Sequence, residues 1–524
     1  MQRAKRAVTT YVVLAVVAGL CVACGSGPSE RPVVAVVEHA PGADRPTNTT
    51  QAPPPAPVLD RPKGELAWSD CTADRMQAQN LPPGPPGLIL ECAEFTAPMD
   101  AEGKAFGTFA VGALRALLPQ TPRDAPPMVF TTGADRPSTQ ALAAWAAGPA
   151  TSLLAARPIV AVDRRGIGTS TQLDCVRPTI KRPMSDLAQF STNGGDQADA
   201  LAKLAQDATI DCKDALQPLE LAFDAVHAAD DINQLRLNWQ VERIGIIGAG
   251  NGSRVALSYA QKYGAHVGRL VLDAPEPYGI DVLTMTENRL KGADAAVKAF
   301  ANRCVGLRCS LGPDPYGAIR ALLERARTGA VPGVSSNAVA TAVMGFLGSP
   351  RGDQNARVTV LADALSAAAR GTTGPLIAIV DEQRRQTGED GQLVTRCSDA
   401  TGWPPVARAR ELAKTWGEKY PMFGSEVALG LLSCSAWPAV PVPAPPKEVN
   451  MPVLAMSSAA DPTSGDGGVG PVSGVLNNAG AQVSAITWQG AGHPVLPHSS
   501  CAQELVINYA NSGKLPSNGT VCPA

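Results

Sequence analysis

The sequence predicts an α/β fold in which a mostly parallel central sheet is covered by helices on both faces. Two features of the 524-residue chain indicate this fold: short, continuously apolar runs recur, and segments with helical spacing of apolar residues separate them. Strands that are apolar at every position are typical of a parallel sheet buried on both faces. The composition, with 45% hydrophobic and 18% charged residues and a net charge of −2, is that of a globular protein and shows no basic excess for binding nucleic acid.

The first 64 residues are expected to lie outside this sheet. Residues 1–23 resemble a bacterial lipoprotein signal peptide, because basic residues precede a short apolar run and small residues precede Cys24. The resemblance implies lipid attachment at Cys24, export, and anchoring at the outer face of the cytoplasmic membrane in the cell envelope. Cys21 departs from the leucine usual in such signals, and a simple secreted protein is the alternative. Residues 24–64 are rich in proline and form a predicted tether.

The cysteine content indicates an oxidising compartment. Of the 12 cysteines, ten follow the predicted signal peptide and its lipidation site, and they fall into near-neighbour couples. Sequence alone leaves the connectivity open, but sequential pairing closes the shortest loops. Apart from residues 21–24 at the predicted lipidation site, the chain has no C-x-x-C motif and it has no H-E-x-x-H motif, so no metal or cofactor is predicted. The predicted disulfides are Cys71–Cys92, Cys175–Cys212, Cys304–Cys309, Cys397–Cys434 and Cys501–Cys522.

The pattern divides the rest of the chain into a sheet domain and a helical insertion. Residues 65–280 are predicted to begin the sheet, with strands at 105–113, 127–130, 158–163, 244–247 and 269–273 and a helix at 224–237. Residues 281–445 form a predicted cap, with amphipathic segments at 316–327, 355–370 and 405–420. Residues 446–524 complete the sheet domain, with strands at 451–456 and 482–488 and a helix at 501–510.

A glycine-rich turn follows the strand predicted at 244–247, and a helix is expected after it. In a nucleophile elbow, G-x-S-x-G, such a unit raises a serine hydroxyl above a parallel sheet. Gly248 and Gly252 stand at the outer positions of that motif, but Gly250 stands at its centre, where the serine belongs. Two alternatives stay open: a plain packing turn, and a dinucleotide-binding turn, in which Ser253 would replace the third glycine.

An acid and a histidine follow the last two predicted strands. Asp461 comes after the first of them, and His493 comes after the second within Gly-Ala-Gly-His. This order matches the Ser…Asp…His order of α/β-hydrolases, in which the acid orients the histidine and the histidine transfers the proton. Asp466 is the rival candidate for the acid. A purely structural histidine is the alternative for His493.

At this point the chain resembles the secreted actinobacterial tripeptidyl aminopeptidases, α/β-hydrolases with a TAP-like C-terminal domain. The likeness extends from about residue 68 to residue 522, and its motifs lie at 162–170, 229–231, 271–273, 434–438, 461–462, 490–493 and 519–522. The resemblance implies the α/β-hydrolase fold with an inserted, mainly helical cap. It also implies removal of short peptides from free N-termini through an acyl-enzyme on the elbow serine.

The departures from the family fall at the expected catalytic positions. Gly250 replaces the nucleophile, Asn251 replaces the usual aromatic residue beside it, and the glycine-rich oxyanion loop becomes Thr-Thr-Gly-Ala-Asp-Arg at 131–136. An oxyanion hole here would use the backbone N–H groups of Asn251, Gly133 and Ala134. If Asp135 faced inward, its carboxylate would oppose a developing negative oxygen.

These departures predict a lipid-anchored pseudo-hydrolase in which Asp461 and His493 are a remnant acid and base. Its capped cleft would bind a peptide, an acyl chain or a protein partner. The alternative is an active exopeptidase or esterase that uses a non-standard nucleophile, for which Ser253 is the nearest serine. A third reading is a purely structural envelope protein.

Overall fold

The computed structural model describes residues 57–103, 106–192, 194–349, 354–438, 443–465 and 467–524. The predicted signal peptide, Cys24 and most of the predicted tether lie outside the described residues. Within the described ranges, no helix has the length and apolar character needed to cross a membrane.

One sheet organises the chain. Its strands lie in the order β1-β2-β3-β5-β4-β6-β7-β8-β9-β10. The pairs β1–β2, β2–β3 and β3–β5 are antiparallel, and every other neighbouring pair is parallel. The strands are β1 Ser69–Asp70, β2 Ile89–Pro98, β3 Thr108–Leu117, β4 Met128–Thr131, β5 Ile159–Val162, β6 Ile244–Ala249, β7 Val267–Asp273, β8 Val453–Ala460, β9 Val483–Ala491 and β10 Thr520–Cys522.

Helices cover both faces of this sheet and also form a separate layer. The helices are α1 Thr72–Ala78, α2 Ser138–Ala146, α3 Ser152–Ala156, α4 Pro178–Ser185, α5 Gln197–Leu216, α6 Ala225–Trp239, α7 Gly252–Tyr263, α8 Val282–Leu307, α9 Pro315–Arg327, α10 Ser336–Gly348, α11 Gln354–Ala369, α12 Gly374–Thr387, α13 Asp390–Asp399, α14 Val406–Lys419, α15 Gly424–Gly430, α16 Val469–Asn478 and α17 Ser500–Ser512. Short 3-10 turns cover Gly264–His266 and Leu431–Cys434.

The central strands are buried at every position, as the continuous apolar runs predict. All residues of β4, β5, β6 and β7 are buried. On one face, α6 and α7 pack on the sheet through residues such as Ile232 and Val255. On the other face, α2 and α17 pack through residues such as Trp145 and Tyr509. This arrangement confirms the predicted fold class, the α/β-hydrolase fold.

The helices α8 to α15 lie between β7 and β8, and all of them except α13 contribute to a separate hydrophobic core. They occupy the stretch 281–445 in which the sequence predicts a helical cap. The ten cysteines of the sheet domain and the insertion form the five expected couples, from Cys71–Cys92 to Cys501–Cys522.

The largest differences from the sequence expectation lie at the edges of the sheet. The strand expected at 105–113 is β3, displaced toward the C-terminus, and β1, β2 and β10 have no counterpart in the prediction. The burial of β2 varies irregularly along the strand, because it lies second from the edge. Such a strand lacks the continuous apolar run that marks the central strands.

Candidate functional site

The turn from β6 to α7 has the geometry of a nucleophile elbow. Gly250 has a φ of +54°, in the left-handed region that favours glycine. A Cβ on Gly252 would lie 2.0 Å from the Thr131 carbonyl oxygen, and a Cβ on Gly248 would lie 2.7 Å from the Gly252 carbonyl oxygen. Both outer glycines are therefore required by close backbone packing, as the G-x-S-x-G motif demands.

The histidine and acid predicted from sequence lie together beside this turn. Asp461 follows β8 directly and His493 follows β9, and parallel neighbouring strands bring their ends to the same edge of the sheet. His493 Nδ1 lies 2.8 Å from Asp461 Oδ2. Asp461 Oδ1 accepts hydrogen bonds from the backbone N–H groups of Thr463, at 2.7 Å, and Ser464, at 2.9 Å. The rival acid, Asp466, lies outside the described residues.

The charges around His493 favour its protonated form. Burial alone lowers the pKa of the imidazole, but the carboxylates of Asp461, Asp135 and Asp273 outweigh burial and raise the pKa above its usual value of 6.5. Asp273 itself is fully buried, and burial raises the pKa of its carboxyl group to about 6. It accepts the backbone N–H groups of Val495 and Leu496 and thereby holds the loop that carries His493.

The space that a side chain at position 250 would need is filled by Asp135. Its Oδ2 accepts the backbone N–H of Asn251 at 2.8 Å and lies 3.8 Å from His493 Nε2. A Cβ built on Gly250 would lie only 2.1 Å from the same Oδ2 atom. The carboxylate thus faces inward. It occupies the position of an elbow nucleophile and accepts the N–H group that an oxyanion would use.

The backbone N–H groups that the sequence indicates as oxyanion donors are all engaged within the protein. The Ala134 N–H donates to Asn251 Oδ1 at 2.7 Å, and the Gly133 N–H donates to Thr131 Oγ1 at 3.2 Å. The physical reason is the Asn251 side chain: its amide oxygen is an acceptor within reach of the loop after β4. Its Nδ2 donates to the buried Glu276 carboxylate at 3.1 Å, which fixes the amide in this orientation.

Ser253, the nearest serine to the elbow centre, has a structural role. Its hydroxyl donates to the Gly250 carbonyl oxygen at 2.7 Å and accepts the backbone N–H of Glu276 at 3.2 Å. The residue is fully buried. It has neither access to the cleft nor a contact with His493, so it cannot serve as the nucleophile in this conformation.

A cavity of about 520 Å³ lies between the sheet domain and the helical insertion, with Asp135 at its wall. Apolar side chains such as Met285, Leu290 and Val380 and the basic side chains of Arg289 and Arg396 also line it. Burial lowers the pKa of both guanidinium groups, against the opposing effect of the nearby Asp135 carboxylate.

The two arginines differ in their partners. Arg289 pairs with the buried Glu276 carboxylate. Arg396 donates one hydrogen bond, to the Thr387 carbonyl oxygen at 2.7 Å, and has no ion pair within 4.0 Å in the part of the chain that the structure describes. Arg396 therefore has hydrogen-bonding capacity to spare. In the described ranges, no group of three or more His, Cys, Asp or Glu side chains could hold a metal ion.

The comparison with protein families finds a TAP-like protein domain over residues 420–522. Among curated proteins, the chain is similar to the serine protease Hip1 of Mycobacterium tuberculosis and of Mycobacterium bovis, with 26% identity over 337 residues in each case. The similarity covers 57% of this chain and 61% of those proteins. The chain thus matches about three fifths of the length of the curated relatives.

Two solved structures also align with the chain. One is the proline iminopeptidase of Mycobacterium smegmatis, at 12% identity and a TM-score of 0.38, covering 80% of this chain and 98% of that one. The other is a bacterial membrane phospholipase A, at 14% identity and a TM-score of 0.33, covering 84% and 88%. Scores of this size carry no inference about function. The fold is that of the α/β-hydrolases, residues 420–522 match the TAP-like protein family, and the chain is similar in sequence to the mycobacterial serine protease Hip1.

Proposed function

We propose that this protein is a cell-envelope pseudo-hydrolase, which does not catalyse the peptidase reaction of the TAP-like hydrolases that it resembles. It keeps the capped α/β-hydrolase scaffold, lacks serine-dependent acyl transfer, and binds a peptide, acyl or protein ligand in the cavity beneath the helical insertion. Lipid attachment at Cys24 would hold it at the outer face of the cytoplasmic membrane.

The observation that carries this proposal is the contact of the Asp135 carboxylate with the Asn251 N–H, at 2.8 Å, in the space beside Gly250. The site lacks the nucleophile, and a negative charge stands where the tetrahedral oxyanion of acyl transfer would form. Loss of a triad serine alone costs about 10⁴–10⁶ in turnover. The filled oxyanion position removes much of the catalysis that survives such a loss.

Ligand binding is supported by the cavity that remains. Its volume of about 520 Å³ falls in the range of small-molecule and peptide sites, and its lining joins apolar side chains with a few polar groups. A bound ligand at 100 times its dissociation constant would stabilise the protein by about 2.7 kcal/mol, which is measurable as a rise in melting temperature.

Fluorophosphonate labelling tests the proposal. The purified wild-type protein should remain unlabelled, whereas the double variant Gly250→Ser/Asp135→Ala should react, because it regains a hydroxyl next to His493 and frees the Asn251 N–H. The same double variant with His493→Gln added is the control and should lose the label. Labelling of the wild-type protein on any serine of the cleft would refute the proposal.

A second candidate function is hydrolysis by a nucleophile other than a serine. The observation that favours it is the intact pair of His493 and Asp461, hydrogen bonded at 2.8 Å, with the free Nε2 atom of the imidazole turned toward Asp135 at 3.8 Å.

A further inference from the structure

We infer that Asp135 is a nucleophile for displacement at a saturated carbon, and that His493 and Asp461 hydrolyse the ester that this displacement forms on Asp135. The inference rests on the proposed loss of serine chemistry and takes the second candidate function to a defined reaction. It assigns an activity to the residue that fills the elbow.

The two oxygens of the Asp135 carboxylate have different surroundings. Oδ2 accepts the Asn251 N–H at 2.8 Å. No side chain or backbone group in the described ranges donates a hydrogen bond to Oδ1, so its lone pairs are available. The Asp135 side chain is 11% exposed to solvent and lines the cavity, so a substrate in the cavity can reach it. A carboxylate with one oxygen fixed and the other free is arranged as a nucleophile.

The hydrogen bonds of the site favour displacement at saturated carbon over acyl transfer. Attack on an acyl carbon needs an oxyanion hole for the substrate's own carbonyl oxygen, but the N–H groups of Asn251, Ala134 and Gly133 are all engaged. Displacement at a saturated carbon creates no such oxyanion. In the later hydrolysis the oxyanion forms on Oδ2 of Asp135 itself, which already lies against the Asn251 N–H.

The reaction has two steps. In the first, Oδ1 of Asp135 attacks the carbon of a substrate R–X, the C–X bond breaks, X⁻ departs with the bonding electrons, and an ester Asp135–O–R remains. In the second, a water molecule gives a proton to His493 Nε2 and attacks Cγ of Asp135, and the negative charge falls on Oδ2. Collapse breaks the bond between Cγ and the ester oxygen, and R–O⁻ takes the proton from His493. The acid form of Asp135 then releases a proton to solvent, so that R–X and water give R–OH, X⁻ and H⁺.

The charge of Asp135 couples the two steps. As a carboxylate it is one of the groups that raise the pKa of His493, after Asp461. Esterification removes that charge, which lowers the pKa of the imidazole and favours its neutral, basic form. Asp461 keeps the ring oriented throughout. His493 thus becomes a better base once the ester that it must hydrolyse has formed.

The lining of the cavity indicates the class of substrate. An apolar alkyl or arylalkyl group fits beside Met285, Leu290 and Val380, and a departing anion fits the spare N–H groups of Arg396. The expected substrate is therefore a compound with an apolar group on a saturated carbon and an anionic leaving group. Para-nitrobenzyl bromide, whose leaving group is bromide, is a simple probe of this class.

The test follows para-nitrobenzyl bromide with the full-length protein and matched variants. The wild-type protein should release para-nitrobenzyl alcohol. His493→Gln should still be alkylated but should hydrolyse the ester about 10²–10⁴-fold more slowly, since a general base is lost, so peptide mapping should find the ester on Asp135. Asp135→Asn should give neither ester nor alcohol above background. Asp124→Asn, which changes an exposed carboxylate, is the control and should behave like the wild type.

A second measurement needs no variant. When the wild-type protein turns over the probe in isotopically labelled water, the label should enter the Asp135 carboxylate, because water attacks Cγ. The inference is overturned if Asp135 gains no label while alcohol forms, or if His493→Gln carries no more ester on Asp135 than on Asp124. Absence of alcohol formation by the wild-type protein also overturns it. Any of these outcomes would leave the fluorophosphonate result unchanged. The two experiments therefore test this inference and the proposed lack of serine chemistry separately.

Discussion

The steric conflict between a side chain at position 250 and the Asp135 carboxylate predicts how much Gly250→Ser destabilises the protein. The new Cβ would lie 2.1 Å from Asp135 Oδ2 and 2.8 Å from His493 Nε2, both closer than atoms can pack. The carboxylate must then leave the Asn251 N–H, which loses a charge-assisted hydrogen bond of about 1.5–3 kcal/mol. A side chain at the left-handed φ of residue 250 adds roughly 1–2 kcal/mol. We expect Gly250→Ser to lower the free energy of unfolding by about 2.5–5 kcal/mol.

The same reasoning predicts that the two substitutions are not additive. Asp135→Ala removes the hydrogen bond on its own at about 1.5–3 kcal/mol, so that Gly250→Ser in this background costs only the backbone term and the contact with His493. The double variant should therefore be more stable than the sum of the single variants indicates, by about 1.5–3 kcal/mol. Urea denaturation of the four proteins measures this coupling.

The control is Asp124→Ala, which removes an exposed carboxylate in the loop before β4. Its effect should add to that of Gly250→Ser within about 0.5 kcal/mol, as expected of sites without shared contacts. If Asp135→Ala also adds to Gly250→Ser within that margin, the carboxylate does not occupy the nucleophile position in solution, and the reasoning about the elbow is refuted.

Three further predictions concern the acid–base pair, the core and the anchor. Because the surrounding carboxylates, Asp461 above all, outweigh burial and raise the pKa of His493 above 6.5, their stabilising effect is fully present below pH 6.5 and is lost as the pH rises through the folded-state pKa. The pH-dependent unfolding of His493→Gln should lack this decline. Asp231→Ala should destabilise the fold by about 3–5 kcal/mol, measured in urea, because it leaves the buried guanidinium of Arg165 unpaired. Cys24→Ser should move the protein from the membrane fraction to the soluble fraction, and equal membrane retention of both proteins would contradict lipid anchoring.

Sequence patterns could predict the central sheet and the positions of the acid and the histidine for a definite physical reason. Strands β6 to β9 are parallel neighbours, so residues that follow them meet at one sheet edge whatever the loops between them contain. Gly250 and Asp461 follow such strands directly, and His493 follows its strand after one intervening residue. Strand β1 at the sheet edge and β2 beside it escaped prediction because their exposed residues break the apolar pattern.

The occupation of the elbow by Asp135 could not be read from the sequence. Asp135 and Asn251 are 116 positions apart, and their contact depends on the pairing of β4 with β6, which are not consecutive in the chain. The sequence shows an acid in the loop after β4, which is a signal of altered chemistry. The direction of its side chain follows only from tertiary packing, since inward and outward rotamers suit the same loop pattern.

Besides the Asp135 carboxylate, the Asn251 side chain also blocks a backbone N–H group that an oxyanion hole would use. Its Oδ1 holds the Ala134 N–H at 2.7 Å, so removal of Asp135 frees only one of the donors. Adding Asn251→Ala to Gly250→Ser/Asp135→Ala should free the second donor and accelerate fluorophosphonate labelling by about 10²–10³, the value of one oxyanion donor. The substitution leaves the buried Glu276 carboxylate with one donor fewer, at a cost of about 1–3 kcal/mol in stability.

The matched control is Asn251→Ala in the wild-type background, which should show the same loss of stability and no labelling. If the triple variant labels no faster than the double variant, the Ala134 N–H does not point at the nucleophile position. Side-chain replacement would then be insufficient to form an oxyanion hole, because the backbone of the loop after β4 would lie too far from the nucleophile position. If it labels faster by the expected factor, the backbone can still form an oxyanion hole, and the side chains at positions 135 and 251 are what block it. Asp135 fills the space beside Gly250, and Asn251 binds the loop that carries Asp135.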